Sequence, residues 1–223
     1  MSRAAPIVVI GASGLAKVVI DAIERAGHHP IAGLIDAQRA TGSTFYGYSV
    51  LGDDDDAARL FMARTFGAAV IAIGDNWRRH QVAERWQRAV PSLSFPPVRD
   101  PSVHVARGAN IGRGTIITSG AVVGSDTHLG DFVLCDYRAA IAHDCRVGNF
   151  ATLACGSTIA GGVAIGPFSV ISVGASVIHG VAIGEHTIIG AGATVVDDIG
   201  DCVVAVGTPA TVMRQRQVGD AYL

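Results

Sequence analysis

Six residues spaced eighteen apart carry the first chemical signal: Arg107, Ser125, His143, Gly161, His179 and Asp197. If the chain coils with that period they form one column, with Gly161 directly beside His143. A glycine there leaves the space next to the imidazole open. A neutral imidazole can take a proton from an amine or hydroxyl, and a neighbouring backbone N–H can stabilise a developing oxyanion. That pairing suits acyl transfer. Asp144 follows at once and can orient the ring, although a backbone carbonyl could serve equally. Spacing alone still favours an ordinary surface histidine, one of eight.

The second signal is Gly11-Ala-Ser-Gly14, between an apolar run and a helical pattern. Amides at such a turn, with the positive end of the following helix, can hold phosphate. Asp36 lies 25 residues beyond Gly11, near the acidic position that binds ribose in dinucleotide folds. Tight strand-to-helix turns need glycine anyway, so the turn alone is weak evidence. About 95 residues also hold only half of a full dinucleotide-binding domain, which makes an NAD-dependent oxidoreductase hard to fit.

Two kinds of element must position these groups. Residues up to about 97 alternate short apolar runs with helical patterns, as in βαβ units. Ile7–Ile10 and Ile31–Ile35 read as buried strands. Ser13 is expected to cap a helix over Gly14–Ala26 that ends at Gly27. The Asp53–Asp56 run leads into a helix closed by Gly67, then a strand over Ala69–Ile73. Those aspartates read better as cap and dipole partners than as metal ligands. Asn76 is expected to cap a helix over Trp77–Ala89. Pro91, Pro96, Pro97 and Pro101 then mark a boundary, giving units of 1–97, 98–211 and a tail of 212–223.

From Val105 a period of six takes over. The first residues of sixteen successive hexads, from Val105 and Ile111 to Ile189 and Val195, are all apolar. The fifth residues are small or β-branched throughout, and the second is glycine in seven hexads, among them Gly112, Gly124 and Gly148. A helix of 3.6 residues per turn cannot produce that period. The economical reading is a β-helix of triangular coils, eighteen residues each, stacked at ~4.8 Å. First and fifth residues point inward, and the second-position glycines are expected to relieve the bends through positive φ. The fold class is thus an α/β Rossmann-like unit followed by a parallel β-helix. The first unit is expected to cover one end of the β-helix, and the segment from Pro209 to Leu223 the other.

Composition removes several alternatives. Charged residues make up 16% of the chain and the net charge is −2, so no basic field points to nucleic acid. No apolar run approaches the ~18 residues of a membrane span. Four cysteines without a CxxC pair, and no secretory leader pattern, suggest reduced thiols and a cytoplasmic protein.

The segments Ile141-Ala-His-Asp-Cys-Arg-Val-Gly148, Leu153-Ala-Cys-Gly-Ser157 and Ala160-Gly-Gly-Val-Ala-Ile-Gly166 resemble the sialic-acid O-acetyltransferase type of bacterial sugar acetyltransferase. That group includes N-acetyltransferases acting on nucleotide-linked 4-amino-sugars such as UDP-4-amino-sugars and GDP-perosamine. Val9-Ile-Gly-Ala-Ser-Gly-Leu-Ala-Lys17, Ala72-Ile-Gly-Asp-Asn76 and Val206-Gly-Thr-Pro-Ala210 extend the likeness over nearly the whole chain. The resemblance implies a left-handed β-helix, a homotrimer, and acetyl-CoA lying between subunits with no metal. It implies His143 as general base, Gly161 offering its amide to the thioester, and backbone near Val173 and Ala191 along the pantetheine arm. The first unit then binds the nucleotide of a sugar nucleotide through Ser13, Gly14, Asp36, Asp75 and Asn76, with Asp136 near the substrate. Relatives often carry Asn where this chain has Asp136 and His where it has Leu15, and some carry a second histidine where it has Thr152. These departures leave the base intact and the acceptor open, including O-acetylation of a free sugar such as sialic acid.

Two rivals use the same scaffold. A zinc-dependent carbonic anhydrase needs three histidine ligands, but His143 and His179 stand two coils, or ~9.6 Å, apart. With Zn–N bonds of ~2.0 Å they cannot share a metal within one subunit. A purely structural β-helix needs neither the glycine turn nor the His-Asp-Cys segment.

Overall fold

The structure is a computed structural model that describes residues 5–220. The end of the expected tail, residues 221–223, lies outside the described residues.

The first unit is built on β1 (Ile7–Ile10), α1 (Gly14–Ala26), β2 (Ile31–Ile35), β3 (Thr44–Phe45), β4 (Tyr48–Gly52), α2 (Ala57–Met62), β5 (Ala68–Ile71) and α3 (Asn76–Ala89). The sheet order is β3-β4-β2-β1-β5, parallel except for the β3–β4 hairpin, which the sequence reading did not anticipate. β1 and β5 are buried along their whole length, as expected of strands covered on both faces. α1 buries Ala16, Val19, Ile20 and Ile23 and ends at Gly27, whose φ of 66° permits the left-handed cap.

Three local expectations need correction. Ser13 sits at the cap position of α1, but its hydroxyl makes no capping bond. The cap of α3 is Asp75, one residue before the expected Asn76, and it accepts from the Arg78 amide at 2.8 Å. α2 stops at Met62 rather than near Gly67, because Arg64 turns into the left-handed region at φ 57°. Asp53 caps the aspartate turn reciprocally with Asp56, as the dipole reading required.

From Val98 the chain winds as a left-handed parallel β-helix in which two-residue strands pair with the strands eighteen residues on, a spacing that shortens to sixteen in the last coil, where Ile188 meets Val204 and Ile183 meets Ile199. Val122 lies against Ala140, His128 against Arg146 and Leu134 against Thr152. First and fifth hexad residues fill the core, among them Val123, Ile141, Cys145, Leu153 and Ile171. Val105 and Ile111 are only half-buried because the first coil has no neighbour before it.

The reason for the second-position glycines differs from the one expected. Positive φ falls instead at the fourth position, at Gly108, Gly120, Asp126, Phe132 and Asp144. At the second position the constraint is distance between coils: a Cβ on Gly124 would lie 2.5 Å from the Ala142 carbonyl carbon.

The first unit covers a flank of the β-helix, not an end. Outward residues Ile116 and Leu134 pack with Ile20 and Val19 of α1. α3 lies along a corner where Phe132, Phe150, Phe168 and His186 stack on successive coils, with centroids 5.1, 5.2 and 4.6 Å apart. Trp77 and His80 meet that ladder edge-on. At the far end, Ala210 donates to Thr194 at 2.8 Å and packs on the last core residues. Strand Thr211–Gln215 then runs antiparallel to Val203–Val206 along the edge of one face.

Candidate active site

His143 and Asp144 occupy the corner that follows strand Ala140–Ile141. The His143 Nδ1 is 2.7 Å from Asp144 Oδ2, and both side chains are exposed. An ionised carboxylate only accepts, so the neutral ring carries its proton on Nδ1 and presents an unprotonated Nε2. The turn beneath is held firmly. Thr127 Oγ1 donates to the Ala142 carbonyl at 2.7 Å, and the Cys145 thiol points at the carbonyls of Ala160 and His143. Burial pushes the Cys145 thiol above its ordinary value, so this cysteine packs and braces and is a poor nucleophile.

Gly161 lies against the ring: a Cβ there would be 2.6 Å from Cε1 and 2.7 Å from Nε2 of His143. The Gly161 carbonyl accepts from Gly180 and its neighbour Gly162 donates to the His143 carbonyl. The Gly161 amide has no partner among the described residues. Base and free amide are thus adjacent. His179 follows in the same column.

Asp136, Val173 and Ala191 lie elsewhere. Asp136 precedes strand Ala140–Ile141, and Val173 and Ala191 precede Ser176–Val177 and Thr194–Val195 on later coils of the same face, all at the opposite edge of that face from His143. Asp136 Oδ1 accepts from the Tyr137 amide at 2.8 Å and from Thr118 Oγ1 at 3.2 Å. Val173 and Ala191 are exposed in one column with Tyr137 and Cys155. A single chain does not bring them to the base. Thr152 is buried beneath the first unit, where it accepts from Arg79.

In the first unit, Gly11, Ser13, Asp36 and Asp75 line one pocket of about 230 Å³ at the carboxyl ends of β1, β2 and β5. Asp36 braces the glycine turn, accepting from the amides of Ala12 and Gln38 at 2.8 Å each. Gly14 opens α1 just outside the pocket. Asn76, expected at the nucleotide, is instead buried, with its amide donating to the Phe168 carbonyl at 2.6 Å. Leu15 is half-buried and packs against the core of the first unit. Two charged lining residues were not singled out from the sequence as binding residues. Asp54 was absorbed into the cap run but holds Trp86 Nε1 at 2.7 Å, and Arg78 supplies an exposed cation at the start of α3.

Among the described residues no group of three His, Cys, Asp or Glu is placed to hold a metal, and no helix is long and apolar enough to cross a membrane.

Residues 6–86 match the family described as the PglD N-terminal domain. Three solved structures align along nearly the whole chain. PerB from Caulobacter crescentus, a GDP-perosamine N-acetyltransferase solved with CoA and GDP-perosamine, is 34% identical, with 94% of this chain and 97% of that one covered and a TM-score of 0.87. The acetyltransferase domain of PglB from Neisseria gonorrhoeae, solved with acetyl coenzyme A, is 30% identical over 93% and 98%, TM-score 0.86. WeeI from Acinetobacter baumannii shares the fold at 24% identity over 93% and 99%, TM-score 0.76. No curated protein matches the chain significantly.

Proposed function

From the premise that this chain belongs to the sugar acetyltransferase family of PerB and the PglB acetyltransferase domain, we propose that it transfers an acetyl group from acetyl-CoA to the amine of a nucleotide-linked amino-sugar. The observation that carries this reading is the His143 ring, tied to Asp144 on one side and lying against the Gly161 peptide on the other.

In this reading the sugar amine attacks the thioester carbonyl while Nε2 of His143 takes its proton. The Gly161 amide donates to the acyl oxygen as it becomes an oxyanion, and Asp144 stabilises the imidazolium that forms. Collapse expels the CoA thiolate, which receives the proton from His143. Residues 98–211 carry this chemistry. Residues 1–97 hold the nucleotide in the pocket of Ser13, Asp36 and Asp75, with the Gly14 end of α1 facing the diphosphate. Because Asp136, Val173 and Ala191 lie on the far corner of their own chain, they reach a base only from a neighbouring subunit. A homotrimer with the site between subunits satisfies that requirement. The enzyme works in the cytoplasm, where its unpaired cysteines stay reduced.

The test is thiol release from acetyl-CoA against a panel of UDP-, dTDP- and GDP-linked amino-sugars. Turnover of one member, abolished by His143→Ala, is expected. Release unaffected by that substitution removes the base, and no turnover with any member removes the acceptor class.

A further inference from the structure

Arg79 is 1% exposed and donates to both units of the chain. Nη1 reaches the carbonyls of Ile73 and Gly74 at 2.8 Å each. Nε reaches the Phe132 carbonyl at 3.0 Å, and Nη2 the Phe150 carbonyl at 3.1 Å and Thr152 Oγ1 at 3.2 Å. The first two acceptors belong to the loop that lines the pocket, and the others to successive coils of the β-helix. A guanidinium survives burial only when its donors are met, and its rigid planar fork lets one residue hold both sides in register.

The consequence for the loop follows from the peptide plane. The C=O and N–H of a trans peptide point in opposite directions. With the Ile73 and Gly74 carbonyls aimed at the guanidinium, the N–H groups of Gly74 and Asp75 turn to the other side of the loop. Ile73, Gly74 and Asp75 all line the pocket. The same residue therefore sets the orientation of the pocket wall and its position relative to the coils that carry His143.

We propose that Arg79 is a positioning residue for the sugar nucleotide, orienting the Ile73–Asp75 loop for the ligand and fixing the pocket to the β-helix. This rests on the nucleotide reading of that pocket. A residue that merely glues two units together would, when weakened, lower thermal stability and the active fraction without changing either KM. A positioning residue changes KM for one substrate only.

The experiment compares wild type with Arg79→Lys, which keeps the charge but loses the planar fork. The KM for the sugar nucleotide should rise about tenfold, with the KM for acetyl-CoA unchanged within about twofold. Both KM values unchanged in a folded Arg79→Lys enzyme would overturn the proposal. Should that variant fail to fold, Thr152→Val removes a single acceptor and leaves the charge in place. It should raise the sugar-nucleotide KM about two- to threefold, and an unchanged value overturns the proposal equally. Calorimetry with the matching nucleoside diphosphate separates the two readings. If wild type does not bind it, the nucleotide pocket itself is refuted. If wild type binds it and Arg79→Lys binds it equally well, only the role of Arg79 is.

Discussion

The imidazole of His143 occupies the volume into which a side chain at Gly161 would grow, its Cε1 and Nε2 lying 2.6 and 2.7 Å from that Cβ position. The ring is confined between this peptide and the Asp144 carboxylate, although it is open to solvent. A general base must be held where the proton will be, and here two neighbours define that place.

Gly161→Ala therefore separates base position from fold. Gly161 has no positive φ, so its backbone accepts alanine. The methyl group must push the ring aside, and the ring is exposed enough to move. We expect kcat to fall about 100-fold with little change in Tm. Full activity in this variant would mean that the ring position is not used.

Asp144 calls for two variants, because it has both a chemical and a backbone role. Its φ is 58°, a conformation that asparagine tolerates and alanine does not. Asp144→Asn should keep the turn and lose the charge that stabilises the imidazolium, lowering kcat/KM about tenfold or more at nearly unchanged stability. Asp144→Ala should show the same kinetic loss plus about 1 kcal/mol of instability in denaturant titrations. Equal kcat/KM for Asp144→Asn and wild type would remove Asp144 from the mechanism.

How far the sequence could be read depends on what each feature requires. Burial of Ile141 and Cys145 follows from the period of six alone, so the β-helix was legible from one chain. The column placing Gly161 beside His143 was legible for the same reason. Glycine at position 124 was visible, but its cause was not: the approach of two coils is a distance that periodicity does not contain. The aromatic ladder was within reach, since Phe132, Phe150, Phe168 and His186 repeat at eighteen. What docks on it was not, because Asn76 and the Phe168 carbonyl are 92 residues apart and no local pattern links them. The burial of Asn76 against the β-helix was hidden for that reason. Asp136 illustrates the opposite limit: seven residues from His143 in sequence, it stands at the far edge of the same face.

The two glycine roles predict two kinds of damage. In Gly124→Ala the new Cβ meets the Ala142 carbonyl carbon at 2.5 Å and the His143 nitrogen at 2.7 Å. Neither atom can move without parting the coils, so stability should fall by about 1–3 kcal/mol and kcat should fall as the His143 turn shifts. Gly156 has φ 69° and open space around its Cβ position. Gly156→Ala should therefore show only the left-handed penalty of about 1–2 kcal/mol. Denaturant titration and kcat together check this, and unchanged kcat in a destabilised Gly124→Ala would contradict it.

His186 ends the aromatic ladder, stacked 4.6 Å from Phe168 and 7% exposed. Burial holds its pKa below the usual imidazole value; Arg216 and His80 push the same way, against Glu185 and Asp201. The unfolded chain takes up this proton near pH ~6.5, the folded chain only at lower pH. Above that value the ring is neutral in both states and its contribution to stability is complete. As pH falls below it, the unfolded state binds the proton first, so stability declines until the folded ring protonates as well. Phenylalanine suits the site, since Phe132, Phe150 and Phe168 share the same left-handed backbone, with φ of 55–59° against 52° at His186. Melting His186→Phe and wild type in parallel between pH 8 and 5 should give curves that run together at high pH and part below about 6.5, wild type falling faster. Curves that stay parallel throughout would show that His186 protonates as readily in the folded chain as in the unfolded one.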